Sequence, residues 1–194
     1  MRIVWSAWMV ILLFNFSHGQ DINFKANLFQ SAYSDEQWPG LSPRHQGYSL
    51  GFDLVIPDGN SLIIPGLYFH KTSLLPQKFE IGKPFAEYID IKALKLPFQL
   101  GGHVIKSDLI DLNLHGGLAA TFLLGIDENN QLIDEDFNDL RGAFIAGFTL
   151  RLFFITAQVS YDHGFSRIYA TKGPSGLQNK SKERMISFGV GVYF

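Results

Sequence analysis

The chain is patterned with a period of two. Between Arg184 and Phe194, Ile186, Phe188, Val190, Val192 and Phe194 alternate with Ser187, Gly189, Gly191 and Tyr193. Such alternation predicts a strand with one bulky apolar face and one small or polar face. The same grammar recurs upstream. Over 21–30, Ile22, Phe24, Ala26 and Leu28 oppose Asn23, Lys25 and Asn27, and over 47–56, Tyr48, Leu50, Phe52 and Leu54 oppose Ser49, Gly51 and Asp53. Strands five, six and seven are predicted at 108–126, 139–150 and 152–168. Two segments are less regular. Residues 61–73 carry Pro65 on their apolar face, which predicts a bulge. Residues 87–100 put Tyr88, Asp90 and Lys92 on the polar side, and the step slips near Lys95 to Pro97. A slip of one residue exchanges the faces, so a bulge is expected over 93–97, with a short turn at 101–107.

Eight strands follow, and the segments between them alternate long and short: 31–46, 57–60, 74–86, 101–107, 127–138, 150–152 and 169–183. Small outer-membrane barrels show this asymmetry, with short periplasmic turns and long outer loops. The expected fold is all-β: an eight-stranded antiparallel up-and-down transmembrane β-barrel with both termini periplasmic. Asp53, Asp90, Lys92, Asp111, Asn113, His115, Thr156, Gln158, Ser160 and Ser187 would face inward, and tyrosines such as Tyr48, Tyr68 and Tyr161 would mark the interfaces. A soluble, lipocalin-like carrier has the same alternation with its faces exchanged. The direction of the large side chains of strand eight separates the two.

Composition supports the membrane reading. Phe occurs 18 times and Gly 19 times, while charged residues make up 18% against about a quarter in ordinary domains. Arg2 followed by the apolar run 3–16 and the small residues Ser17 and Gly19 predicts a secretory signal peptide over 1–19, leaving 20–194 as the barrel domain. Cysteine is absent, so neither a disulfide framework nor a cysteine-linked lipid anchor is available. A net charge of -2 without a basic stripe argues against nucleic acid.

Several stretches carry a family resemblance: Phe24-Lys25-Ala26-Asn27-Leu28, Tyr88-Ile89-Asp90-Ile91 on to Leu96-Pro97, Leu114 to Ala119, and Lys182-Glu183-Arg184 leading into 185–194. In these the chain resembles the PorT-like outer membrane β-barrel proteins of the Bacteroidetes. The resemblance implies the barrel fold and, through members associated with secretion of surface proteins, a place in an envelope assembly. It implies no catalytic residues.

Candidate chemistry is sparse. Asp90, Lys92, Asp111, Asn113 and His115 on neighbouring strands four and five are expected to form a polar network in the lumen, because buried charges need partners; His70 and His103 are read as apart from it. Ser160, Asp162 and His163 suggest a lipid-modifying acyl hydrolase or acyltransferase as the alternative function, but parity places His163 on the lipid face and the other two inside. Lys172 to Gly176 lacks the ending of a phosphate loop. The acidic stretches 127–130 and 134–136 read as solvated loop. No metal-ligand spacing and no cofactor motif is found. Trp38, followed by Pro39-Gly40 in the first outer loop, offers a contact point for a protein partner or for lipopolysaccharide sugars. The expected role is therefore structural or partner-binding, with outer-membrane lipids and lipopolysaccharide around the wall.

Overall fold

The computed structural model describes residues 20–34, 45–74, 89–107, 109–126, 138–167 and 182–194. The predicted signal segment, Trp38, Tyr88 and the stretches 127–130, 134–136 and 172–176 lie outside them. The described residues form β1 (Asp21–Ser34), β2 (His45–Asp58), β3 (Ser61–Leu74), β4 (Ile89–Lys106), β5 (Ile110–Ile126), β6 (Leu140–Leu152), β7 (Ile155–Gly164) and β8 (Lys182–Tyr193). Every strand pairs antiparallel with its sequence neighbours, and β8 pairs with β1, so the sheet closes into a barrel. The seam is fixed where Ile22 and Phe194 exchange backbone hydrogen bonds, both 2.9 Å. Following paired residues around the wall from Asn23 returns to β1 at Tyr33, so the strands are strongly staggered. That stagger tilts them by about 40° from the barrel axis.

The alternation now has a direction. On β8, Phe188 is 61% and Val190 64% exposed on the outside, while Met185 and Ser187 are buried. The same holds around the wall: Phe24, Leu50, Phe98, Leu114, Phe144 and Phe148 point out, and Asn23, Lys25, Asp53, His115, Thr156 and Ser160 point in. A closed sheet leaves no unpaired edge, and an apolar outer face belongs in hydrocarbon. The carrier reading, which needs the large side chains inside, is overturned by this distribution. The shortest strand, β7, has 10 residues, enough to cross a bilayer core at this tilt.

Three connections are tight. Gly59-Asn60 joins β2 to β3, with Gly59 at a φ of 62° as such a turn requires. Phe153-Phe154 joins β6 to β7, and Phe153 holds a left-handed φ of 55° without being glycine. Its N–H donates to the Leu109 carbonyl of the adjacent β4–β5 turn at 3.1 Å. The other four connections, 35–44, 75–88, 127–139 and 165–181, leave from the opposite end. The barrel thus has a turn end and a loop end.

Several local expectations are corrected. β3 holds one register with β2 and with β4, so Pro65 marks no bulge; β2–β3 pairing lapses beside it, where proline lacks a donor, and resumes unchanged at Ile63. β4 does not slip at 93–97. The shift opposite β5 falls between Lys92 and Ala93, with Leu124 as the extra residue on β5, and a second falls at Val104. β4 also continues through the expected turn to Lys106. Tyr68 is buried in the lumen and is no part of an interfacial belt.

Candidate functional site

The lumen is filled by stacked polar layers, each built from strands that the stagger brings to one level. Nearest the turn end, Tyr193 donates to Asp21 Oδ2 at 2.6 Å, and the Arg151 guanidinium lies 4.4 Å from the Tyr193 ring centroid. Arg151 also donates to Asp111 Oδ2 at 3.1 Å, while His103 Nδ1–H donates to Asp111 Oδ1 at 2.7 Å. Val55, Leu62 and Ile64 pack beside Tyr193 and form an apolar patch next to these charges.

In the next layer Lys25 Nζ donates to Asp53 Oδ2 at 2.6 Å and to Gln158 Oε1. Thr156 donates to Asn23 Oδ1 at 3.0 Å. His115 Nδ1–H donates to Gln99 Oε1 at 2.6 Å, and its Nε2 accepts from Thr149 at 3.1 Å. Higher up, Lys95 on β4 reaches across the bore to Asp162 on β7, and Arg141 pairs with Glu183 at 3.2 Å. At the loop end Phe29 and His70 stack with centroids 4.0 Å apart. Each buried charge has an opposite charge in contact, which is the condition for burying it. Three cavities among the described residues measure about 20 to 30 Å³, room for roughly one water each.

Of the expected network, Asp111, Asn113 and His115 line one such cavity. Asp90 and Lys92 do not. They flank Ile91, which is 1% exposed inside, and so point outward at the loop end, where Asp90 meets Lys71 at 2.6 Å. His103 and Asn113 are cross-strand neighbours, and His103 bonds Asp111, so reading His103 as separate is also corrected. Lys25, Lys95, Arg141 and Arg151 are members that the sequence reading did not include: Lys95 and Arg141 meet partners beyond the next strand, whereas Lys25 meets Asp53 on the neighbouring strand and Arg151 stands opposite Asp111. Only the inward parity of Lys25 marked it.

Ser160 and Asp162 are buried inside, while Tyr161 and His163 share the outer face. Ser160 and His163 therefore stand on opposite sides of the wall. No group of three His, Cys, Asp or Glu side chains among the described residues is arranged to hold a metal ion.

No protein-family model matches the chain, and no curated protein matches it. Solved structures do. It is similar to Ail, the attachment invasion locus protein of Yersinia pestis, solved with the heparin analogue sucrose octasulfate: 11% identity over 91% of this chain and 99% of that one, TM-score 0.53. It is also similar to the outer membrane protein OprG of Pseudomonas aeruginosa, at 16% identity over 91% and 96%, TM-score 0.50. The outer membrane enzyme PagL aligns at 12% identity and a TM-score of 0.48, too loosely to bear on chemistry. At such identities the likeness concerns the fold. With the outward apolar wall and the closed sheet, it defines the class: this chain is a small outer-membrane β-barrel.

Proposed function

We propose that the protein is a non-conducting outer-membrane barrel that serves as a platform for a protein partner, as an accessory subunit of an envelope or secretion assembly. The observation that carries this reading is the filled lumen. Lys95–Asp162 spans the bore from β4 to β7, while Lys25–Asp53 and Arg151–Asp111, each on neighbouring strands, fill it at other levels, so what the barrel offers to other molecules is its loops and its wall. In this reading the turn end and both termini face the periplasm, and the four long connections face outward, with Trp38 among their contact residues. The PorT-like resemblance of the Phe24 to Leu28, Leu114 to Ala119 and 182–194 stretches adds the association with secretion of surface proteins.

The alternative, an acyl hydrolase or acyltransferase, needs a nucleophile within hydrogen-bond reach of its base. Ser160 and His163 face opposite ways, which favours the platform. The test is purification of the tagged protein from its native outer membrane in mild detergent, followed by mass spectrometry. A stoichiometric companion is the expected result, and a barrel of its own mass alone would overturn the subunit reading.

A further inference from the structure

The loop end of β7 and β8 carries an unusual row on its outer face. His163 and Arg184 are cross-strand neighbours, and one step toward the turn end Tyr161 sits opposite Ile186. Asp162 and Met185, between them in the chain, are buried inside, so Tyr161, His163, Arg184 and Ile186 all face the membrane side. Below this row the wall is apolar throughout: Val159 beside Phe188, then Ala157 beside Val190. To one side Phe144 pairs with His163 and packs on Phe165, centroids 5.0 Å apart.

Arg184 is exposed, and no carboxylate among the described residues pairs with it. The acid next to it, Glu183, is turned inward onto Arg141. The contrast is with Lys71 on β3, also outward at the loop end, which has Asp90 at 2.6 Å. An arginine on the outer face of a barrel costs about 2–4 kcal/mol at the bilayer midplane and about 0–1 kcal/mol near the headgroups. Arg184 therefore marks the headgroup level, and its charge calls for an anion there. The Tyr161 hydroxyl lies 3.5 Å from His163 Nδ1. With the hydroxyl donating to Nδ1, the imidazole carries its proton on Nε2 and presents a second donor beside the guanidinium.

We propose that Arg184, His163 and Tyr161 form a binding site for the phosphate of a lipid headgroup. The guanidinium grips the phosphate by two parallel hydrogen bonds, a geometry suited to planar arginine, and His163 Nε2–H adds a third. The acyl chains lie on Ile186, Phe188 and Phe144. This apolar floor, continuous with the membrane wall, selects a lipid over a free anion. The identity of the lipid as the phosphorylated glycolipid of the outer leaflet rests on the loops-outward reading above; the phosphate site does not.

The test uses the full-length protein in detergent micelles and native mass spectrometry with four probes: lipid A, its dephosphorylated form, phosphatidylglycerol and inorganic phosphate. Lipid A is expected to bind one to one. Dephosphorylation and Arg184→Gln are each expected to weaken it about tenfold or more, the loss of charged hydrogen bonds, with Arg184→Lys intermediate and Lys71→Gln without effect. His163→Gln should weaken it several-fold. The heat-dependent gel shift of folded barrels verifies each variant. Equal binding of the dephosphorylated lipid, full retention in Arg184→Gln, or displacement by inorganic phosphate at matched concentration would overturn the site. Tighter binding of phosphatidylglycerol than of lipid A would overturn the outer-leaflet source. Loss of a copurifying protein would leave these affinities untouched, so the two proposals fail separately.

Discussion

Lys25 and Asp53 are 4% and 1% exposed at their side chains and 2.6 Å apart. In such a place the pair matters less as a source of stability than as a mutual necessity. Removing one member strands the other charge, at about 3–5 kcal/mol, while replacing both with apolar groups is close to neutral. Lys25→Met is therefore expected to lower the urea midpoint of the vesicle-inserted barrel far more than Lys25→Met with Asp53→Leu. Equal losses would show that Asp53 finds another partner. At this scale the sequence is only partly legible. Parity placed Asp53, Asp111 and His115 inward, because in mid-membrane a polar side chain has no other place to go. At the loop end that logic lapses: Asp90 and Lys92 lie at headgroup level, where outward charge is cheap, and polarity stops reporting the face. Lys95 went unnoticed because its partner Asp162 sits across the bore on β7, a relation no local window contains.

The strands themselves were legible wherever one face meets lipid and the other the lumen, as in β1, β7 and β8. β3 and β4 blurred for identifiable reasons. Leu62 and Ile64 point inward beside Val55 at the turn end of the bore, so the first part of β3 is apolar on both faces. One shift between β4 and β5 comes from an additional residue on β5, Leu124, so β4 keeps its alternation through 93–97; the other falls on β4 itself, at Val104. Packing between these strands is tight at particular glycines. A Cβ on Gly117 would come 2.1 Å from the Phe98 carbonyl oxygen and 2.7 Å from Gln99 Cα, both backbone atoms of β4, whereas one on Gly102 meets nothing nearer than 3.5 Å. Gly117→Ala should accordingly cost about 1–3 kcal/mol by forcing β4 and β5 apart, and Gly102→Ala should be tolerated. Comparable unfolding midpoints for the two variants would contradict this account.

For the whole molecule, closure was implied by eight alternating segments, and the faces decided between a membrane wall and a ligand-filled bore. What no pattern could supply is the stagger, which sets the layers that fill the lumen. Since polar layers fill the bore, Lys95–Asp162 reaches across it, and the spaces described between them are about one water in size, the reconstituted barrel is expected to give no stepwise conductance in planar bilayers. Lys95→Ala together with Asp162→Ala should not open one, because the Lys25–Asp53 level remains. Discrete conductance steps in the unaltered protein would refute the closed-bore description.

The two sides of the turn end are built differently. The β2–β3 turn is polar, with Asp58, Gly59 and Asn60, whereas Val104, Ile105, Leu109, Phe153 and Phe154 are all more than half exposed around the β4–β5 and β6–β7 turns. Hydrocarbon or its boundary is the natural surrounding for that second group, and water is the natural surrounding for the first. A rigid cylinder with one long and one short apolar flank cannot satisfy both while standing upright. It leans, drawing the longer flank deeper into the leaflet, and a bilayer whose thickness matches the leaning cylinder becomes its preferred neighbourhood. The paired phenylalanines of a two-residue turn thereby act as ballast, setting the posture of the barrel and the direction in which its opposite rim is presented.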